Sequence, residues 1–157
     1  MDCFVNLKMG LLLSLASIGN NPDLPPIPVI AIGNDTYMSN YLLTHIGNLA
    51  ARFIGPTDDI KPPASAYKTH TWIEADPITL AKGGVFYVGD WSRLKAQRAD
   101  KLFKYIECSS VAIDKTTYAC PLETAIWAHW RSFKFNAKDQ QTFNNFVKFV
   151  CQLSMEK

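Results

Sequence analysis

Apolar positions fall along this chain in short runs separated by turn formers, and their spacing switches between strand-like and helix-like. Leu7 to Ile18 reads as a short apolar helix. Gly19 to Pro28 holds Pro22, Pro25, Pro26 and Pro28 and reads as a loop. Val29-Ile30-Ala31-Ile32 is a continuous apolar run ended by Gly33, the pattern of a strand buried on both faces. After the turn Gly33-Asn34-Asp35-Thr36, apolar and aromatic residues recur at Tyr41, Leu42, His45, Ile46 and Leu49, which is helical spacing. Phe53-Ile54 predicts a second short strand. From Gly55 to Asp76 the pattern dissolves around Pro56, Pro62 and Pro63, as in a structured loop or insertion.

Periodicity returns at Gly83-Gly84, where Val85 to Val88 predicts a buried strand. Arg98 to Glu107 places Leu102, Phe103 and Ile106 on one helical face. Val111-Ala112-Ile113 and Tyr118-Ala119-Cys120 flank Asp114-Lys115-Thr116-Thr117 and predict a hairpin. Thr124 to Trp130 predicts a further apolar strand, and Gln140 to Leu153 an amphipathic helix carrying Phe143, Phe146, Val147, Val150 and Cys151. Strands alternating with helices imply an α/β fold whose mostly parallel sheet is covered on both faces.

Composition narrows the class. At 157 residues the chain matches one domain, long enough to bury a core. Its 48% hydrophobic and 12% aromatic content argues for a globular fold. A net charge of +2 is too small to imply nucleic-acid binding by itself. No apolar run reaches the roughly 18 residues of a membrane span. Leu11 to Ala16 follows Lys8 like the apolar part of a secretory signal, but Asp2 spoils the basic flank, so a core helix is the reading. Cys3, Cys108, Cys120 and Cys151 form no C-x-x-C pair, which argues against zinc and for small core residues in a reducing compartment. His45, His70 and His129 show no ligand spacing.

Chemistry in an open α/β sheet belongs at the carboxyl ends of the strands. Two such ends are suggestive here. A phosphate-binding loop needs G-x-x-x-x-G-K-[ST], with backbone amides and a lysine on the phosphates and a hydroxyl on magnesium. The turn after the first strand has Gly33, but Ser39 stands in the lysine position and Asn40 in the Ser/Thr position, and Asp35 adds negative charge where a polyphosphate would lie. The second end is Asp90, a lone carboxylate preceded by Gly89 where a nucleotide hydrolase carries another acid.

Leu80-Ala81-Lys82-Gly83-Gly84-Val85-Phe86-Tyr87-Val88-Gly89-Asp90 resembles the Walker B segment of the minichromosome maintenance (MCM) helicases, whose L-A-D-G-G lead-in precedes a hydrophobic strand and Asp-Glu. Glu74-Ala75 matches that family's E-A-G, the turn at Gly33 its G-D-P-G-x-x-K-S loop, and Leu42 to Ile46 with Leu49 to Arg52 its L-L-K-Y-V and A-P-R. Val111 to Lys115 resembles its presensor hairpin. The wording of the Walker B segment is most similar to a divergent, meiosis-specific branch of the family, and the resemblance runs from about Leu7 to about Ala137.

The resemblance implies an AAA+ P-loop-type three-layer α/β/α fold, residues 1–157 forming a partial ATPase core with a presensor β-hairpin and without the helical lid, arginine finger or N-terminal DNA-binding domain. Its departures imply loss of catalysis. Gly89 and Asp90 replace the magnesium-binding Asp and catalytic Glu, and Ile126 to Trp130 lacks the sensor asparagine. Gly33, Asp35, Ser39, Asn40, Gly89 and Asp90 are then a vestigial nucleotide site without catalytic residues, cofactor or metal. The implied role is a nuclear scaffold in meiotic recombination, crossover formation and double-strand break repair, partnered by other MCM-like proteins. Two alternatives stand beside it. One is a weak or partner-completed ATPase subunit using Asp90 with ATP and magnesium. The other is a surviving DNA contact at Lys115, against an ordinary solvated turn lysine. Trp72, Trp91, Trp127 and Trp130 read as core or interface aromatics. Lys95, Arg98, Lys101 and Lys104 read as a solvated basic face.

Overall fold

The computed structural model describes residues 4–19, 24–56, 65–66, 73–113 and 118–131. Within them the order is α1 (Val5–Ser17), β1 (Val29–Gly33), α2 (Thr36–Gly47), β2 (Phe53–Ile54), β3 (Ser65–Ala66), β4 (Ile73–Glu74), α3 (Pro77–Leu80), β5 (Val85–Asp90), a 3-10 turn (Trp91–Arg93), α4 (Ala96–Glu107), β6 (Ser110–Ala112), β7 (Ala119–Pro121) and β8 (Ala125–Arg131). The helix expected over Gln140–Leu153 lies outside the described residues, as do Lys115, His70, Trp72, Cys3 and Cys151.

Four strands form one parallel sheet in the order β1-β8-β5-β2. The last strand among the described residues, β8, is therefore inserted between β1 and β5. Val29 lies opposite Trp127 and Gly33 opposite Arg131 on one side of β8, while Val85 lies opposite Ala125 on the other. β3 and β4 form a separate antiparallel pair inside the stretch where the periodicity dissolves, and β6 and β7 form the expected hairpin.

Both faces of the sheet are covered, and the period-two alternation of the strands sorts the residues. On one face Val85, Tyr87, Ala125, Trp127 and Ala31 pack with Leu11 of α1 and Leu43 of α2. On the other, Phe86, Val88, Ile126, Ala128 and Trp130 pack with Ile78 of α3 and with Leu102 and Tyr105 of α4. Three of the tryptophans are thus core aromatics, and Trp91 packs at 5.0 Å on the Phe103 ring. The described residues therefore form an α/β arrangement of three layers.

Several expectations from the pattern are corrected. β1 is not buried on both faces: only Ala31 is buried, and Ile32 is half exposed, because β1 is the edge of the sheet among the described residues. Leu49 lies beyond the end of α2 and is exposed. Cys108 and Cys120 are exposed free thiols and not core residues, since one ends α4 and the other sits on the outer strand of the hairpin. Arg98 does not lie on a solvated face; it is half-buried, and burial lowers its pKa while Asp76 opposes the shift.

Candidate functional site

The carboxyl ends of β1, β8 and β5 lie side by side, so this edge of the sheet is where the sequence-predicted residues converge. Gly33 is the last residue of β1 and pairs with Arg131; Asp90 is the last residue of β5 and pairs with His129. One strand separates them and their partners lie two residues apart on it, so their backbones are about 12 Å apart by the interstrand spacing and the rise per residue.

At the first end, the connection between β1 and α2 is only Asn34 and Asp35. Asp35 is the N-cap of α2: its carboxylate accepts from the Met38 backbone N–H at 2.9 Å, and its carbonyl accepts from the Ser39 N–H at 3.1 Å. The amides of a helix N-terminus are the groups that would otherwise receive an anion. Here a side chain of the same chain holds one of them and brings its own negative charge. Because α2 begins at Thr36, Ser39 and Asn40 lie in its first turns and not in a loop. Ser39 is buried, and Asn40 turns toward the sheet. A Cβ built on Gly33 meets nothing within 4 Å, so packing does not explain the glycine there.

At the second end, Asp90 is consumed locally. Its Oδ1 accepts from the Ser92 N–H at 3.0 Å and the Ser92 hydroxyl at 2.6 Å, capping the 3-10 turn. Its other oxygen lies 3.5 Å from Arg93 Nε. The preceding glycine has a backbone reason. Between Tyr87 and Asp90 the β5–β8 register slips, and Gly89 sits in the slip at φ +91. That bulge conformation suits glycine, and a Cβ there would also come 3.1 Å from Pro56.

Between the two ends lies a polar network that the sequence pattern did not reveal. Tyr87 Oη donates to Asn40 Oδ1 at 2.8 Å and lies 2.7 Å from His129 Nδ1. The phenol has one proton, and Asn40 takes it. The His129 contact is then an Nδ1–H donating to Oη. Tyr87 is fully buried and His129 nearly so. Burial raises the Tyr87 phenol well above its ordinary range, and the Asp90 charge adds to it. Burial lowers the His129 pKa; Asp90 opposes this and Arg93 reinforces it. Burial thus favours the neutral form of both groups, and the hydrogen bonds tie α2 to β5 and β8.

In the sequence Tyr87 is one position of the buried run Val85 to Val88, and His129 has no ligand spacing to the other histidines. A usable signal was present: both carry polar tips, and both occupy core-facing positions near the carboxyl ends of what became neighbouring strands. Among the described residues no group of three or more His, Cys, Asp or Glu side chains is placed to hold a metal ion, and no helix is long and apolar enough to cross a membrane. The chain matches no protein-family model and no curated protein.

Proposed function

We propose that this chain is a non-catalytic MCM-like AAA+ module, a scaffold that associates with other MCM-like proteins in the nucleus during meiotic recombination and double-strand break repair. The observation that carries the reading is the capped turn after β1. The strand-turn-helix frame of a phosphate loop is kept, with Gly33 facing open space, while the Asp35 carboxylate occupies one of the helix amides that a phosphate would use, that of Met38. The strand order supports it too, since it brings the Gly33 turn, the Asp90 strand and the stretch aligned with the sensor segment to one edge of one sheet. Asp90, the residue a partner-completed ATPase would need, already has both oxygens engaged by Ser92 and Arg93. The finer identity rests on the Walker B-like wording of Leu80 to Asp90.

Two measurements test the reading. Titration of the chain with ATP and magnesium, followed by calorimetry, is expected to show no binding below millimolar concentration; micromolar magnesium-dependent affinity would restore the ATPase alternative. Affinity purification of the protein from meiotic cells is expected to bring down an MCM-like helicase subunit. Recovery without any such subunit, from cells that express one, overturns the scaffold role.

A further inference from the structure

The first turn of α2 lies on the sheet with little apolar anchorage. Of Thr36 to Asn40 only Ser39 is buried, and the helix packs into the layer further on, at Leu43 and Ile46. At this end its fixed point is the Asn40 side-chain oxygen, which accepts from Tyr87 Oη at 2.8 Å. Among the described residues this is the one side-chain hydrogen bond between α2 and the sheet. The phenol in turn lies 2.7 Å from His129 Nδ1. His129 follows Trp127 by two positions on β8 and lies opposite Ala31 of β1, so its ring is on the face that α1 and α2 cover. The residue is 8% exposed. A titratable ring is therefore covered by a helix end whose attachment runs through that ring's own hydrogen bonds.

We propose that Asn40, Tyr87 and His129 form a pH-sensitive latch, in which protonation of the imidazole releases the first turn of α2 from the sheet. The inference is independent of the MCM-like reading. The hydrogen bonds fix which contact gives way. The neutral ring has one N–H, donated to Oη. The imidazolium carries a second N–H and a full charge, and burial under α2 withholds the water that both require. Its bond to Oη becomes charge-assisted and is kept. The bond given up is the next one, from Oη to Asn40, whose exposed side chain finds water as the turn lifts. The surrounding charges were weighed element by element. From β5, Asp90 favours the charged ring, and the neutral Tyr87 phenol accepts from it; from the 3-10 turn, Arg93 opposes the charge. Asp90 already has Ser92 and Arg93 as partners. β1 places the uncharged Ala31 opposite the ring. α2 has no Asp, Glu, Lys or Arg; its His45 is in the last turn, and its N-cap Asp35 is bonded to the Met38 N–H. α1 carries only Lys8. Burial dominates this balance and lowers the His129 pKa. Lifting the turn restores the ring's proton affinity, so by linkage the proton favours the lifted state.

Hydrogen exchange of the whole chain, resolved by residue and corrected for intrinsic rates, tests this from about pH 7.5 to 5. The amides of Ser39 to Tyr41 should exchange through a local opening that low urea leaves unchanged, unlike those of β5 and β8. Their protection should fall by up to about tenfold for each pH unit below about 6.5, the ordinary histidine value, and level off at the folded pKa. In His129→Gln it should no longer depend on pH. In Asn40→Ala, at an exposed position, it should be low already near neutrality, and the His129 pKa read from ring proton resonances should rise toward the ordinary value. If the Gln variant does not fold, Asn40→Ala decides. Protection of Ser39 to Tyr41 that ignores pH, that falls equally in His129→Gln, or that shares the urea dependence of β5 and β8 overturns the latch. An unmoved His129 pKa in Asn40→Ala overturns it equally.

Discussion

At position 84 there is room for one hydrogen and nothing larger. A Cβ on Gly84 would lie 2.1 Å from the Arg52 carbonyl oxygen, the same oxygen that accepts the Val85 N–H at 2.8 Å. Backbone stands on both sides of this contact, so no rotamer relieves it. Gly84→Ala must force β5 away from the start of β2 and is expected to lower stability by about 3 kcal/mol, read as a shift in the urea midpoint at constant slope. His129 supplies a second test at the same scale, through pH. Its folded pKa lies below the unfolded value of about 6.5. Above that value the ring is neutral in both states. As pH falls through it, the unfolded chain gains a proton that the folded chain resists, so stability falls toward the folded pKa. Urea midpoints at successive pH values from about 7.5 to 5 should decline, and His129→Gln should flatten that decline; equal slopes in the two proteins would remove His129 as its source.

The elements were readable wherever a period of two or 3.6 ran uninterrupted. β5, α4 and the β6–β7 hairpin lie close to where the apolar spacing puts them. What the pattern does not carry is neighbourhood. The run Val29 to Ile32 is as apolar as a central strand, yet β1 is an edge among the described residues, because the strand order follows from which helix crosses which face. The same limit hid the Asn40–Tyr87–His129 network, whose members are up to 89 positions apart and meet only through the β5–β8 pairing and the packing of α2. Local chemistry was more legible. The charge of Asp35 beside a phosphate-loop-like turn was readable, but its use as the N-cap of α2 was found only in the structure. Asp35→Ala should cost about 1 kcal/mol in stability, and Asp35→Asn should recover most of it, since the amide oxygen can still accept the Met38 N–H. If Asn fails where Ala fails, the carboxylate charge on the helix dipole, and not the hydrogen bond, holds the turn.

The sheet's two faces depend on different ties, and this separates what the whole molecule can lose from what it cannot. On the α3–α4 face the packing is apolar throughout its centre, from Phe86 to Trp130. On the α1–α2 face, apolar packing is joined by a polar chain through the middle of the layer. Trp127 Nε1 donates to Ser14 Oγ at 2.8 Å, and Ser14 Oγ donates to the Ile27 carbonyl. One hydroxyl thereby connects the central strand β8, the helix α1 and the segment leading into β1, and both Trp127 and Ser14 are fully buried. Trp127→Phe keeps an aromatic ring in that space but removes the donor and leaves a cavity beside Ser14. The loss expected is about 2–4 kcal/mol, combining the missing hydrogen bond with the lost volume. Its distribution is the sharper prediction. Because α1 is held by this tie and by one apolar stripe, its amides should exchange faster in the variant while those of β5 and β8 keep the protection set by global unfolding. Hydrogen exchange resolved along the chain distinguishes the outcomes: uniform acceleration would mean that α1 and the sheet open together, and that the Ser14 junction belongs to one cooperative core.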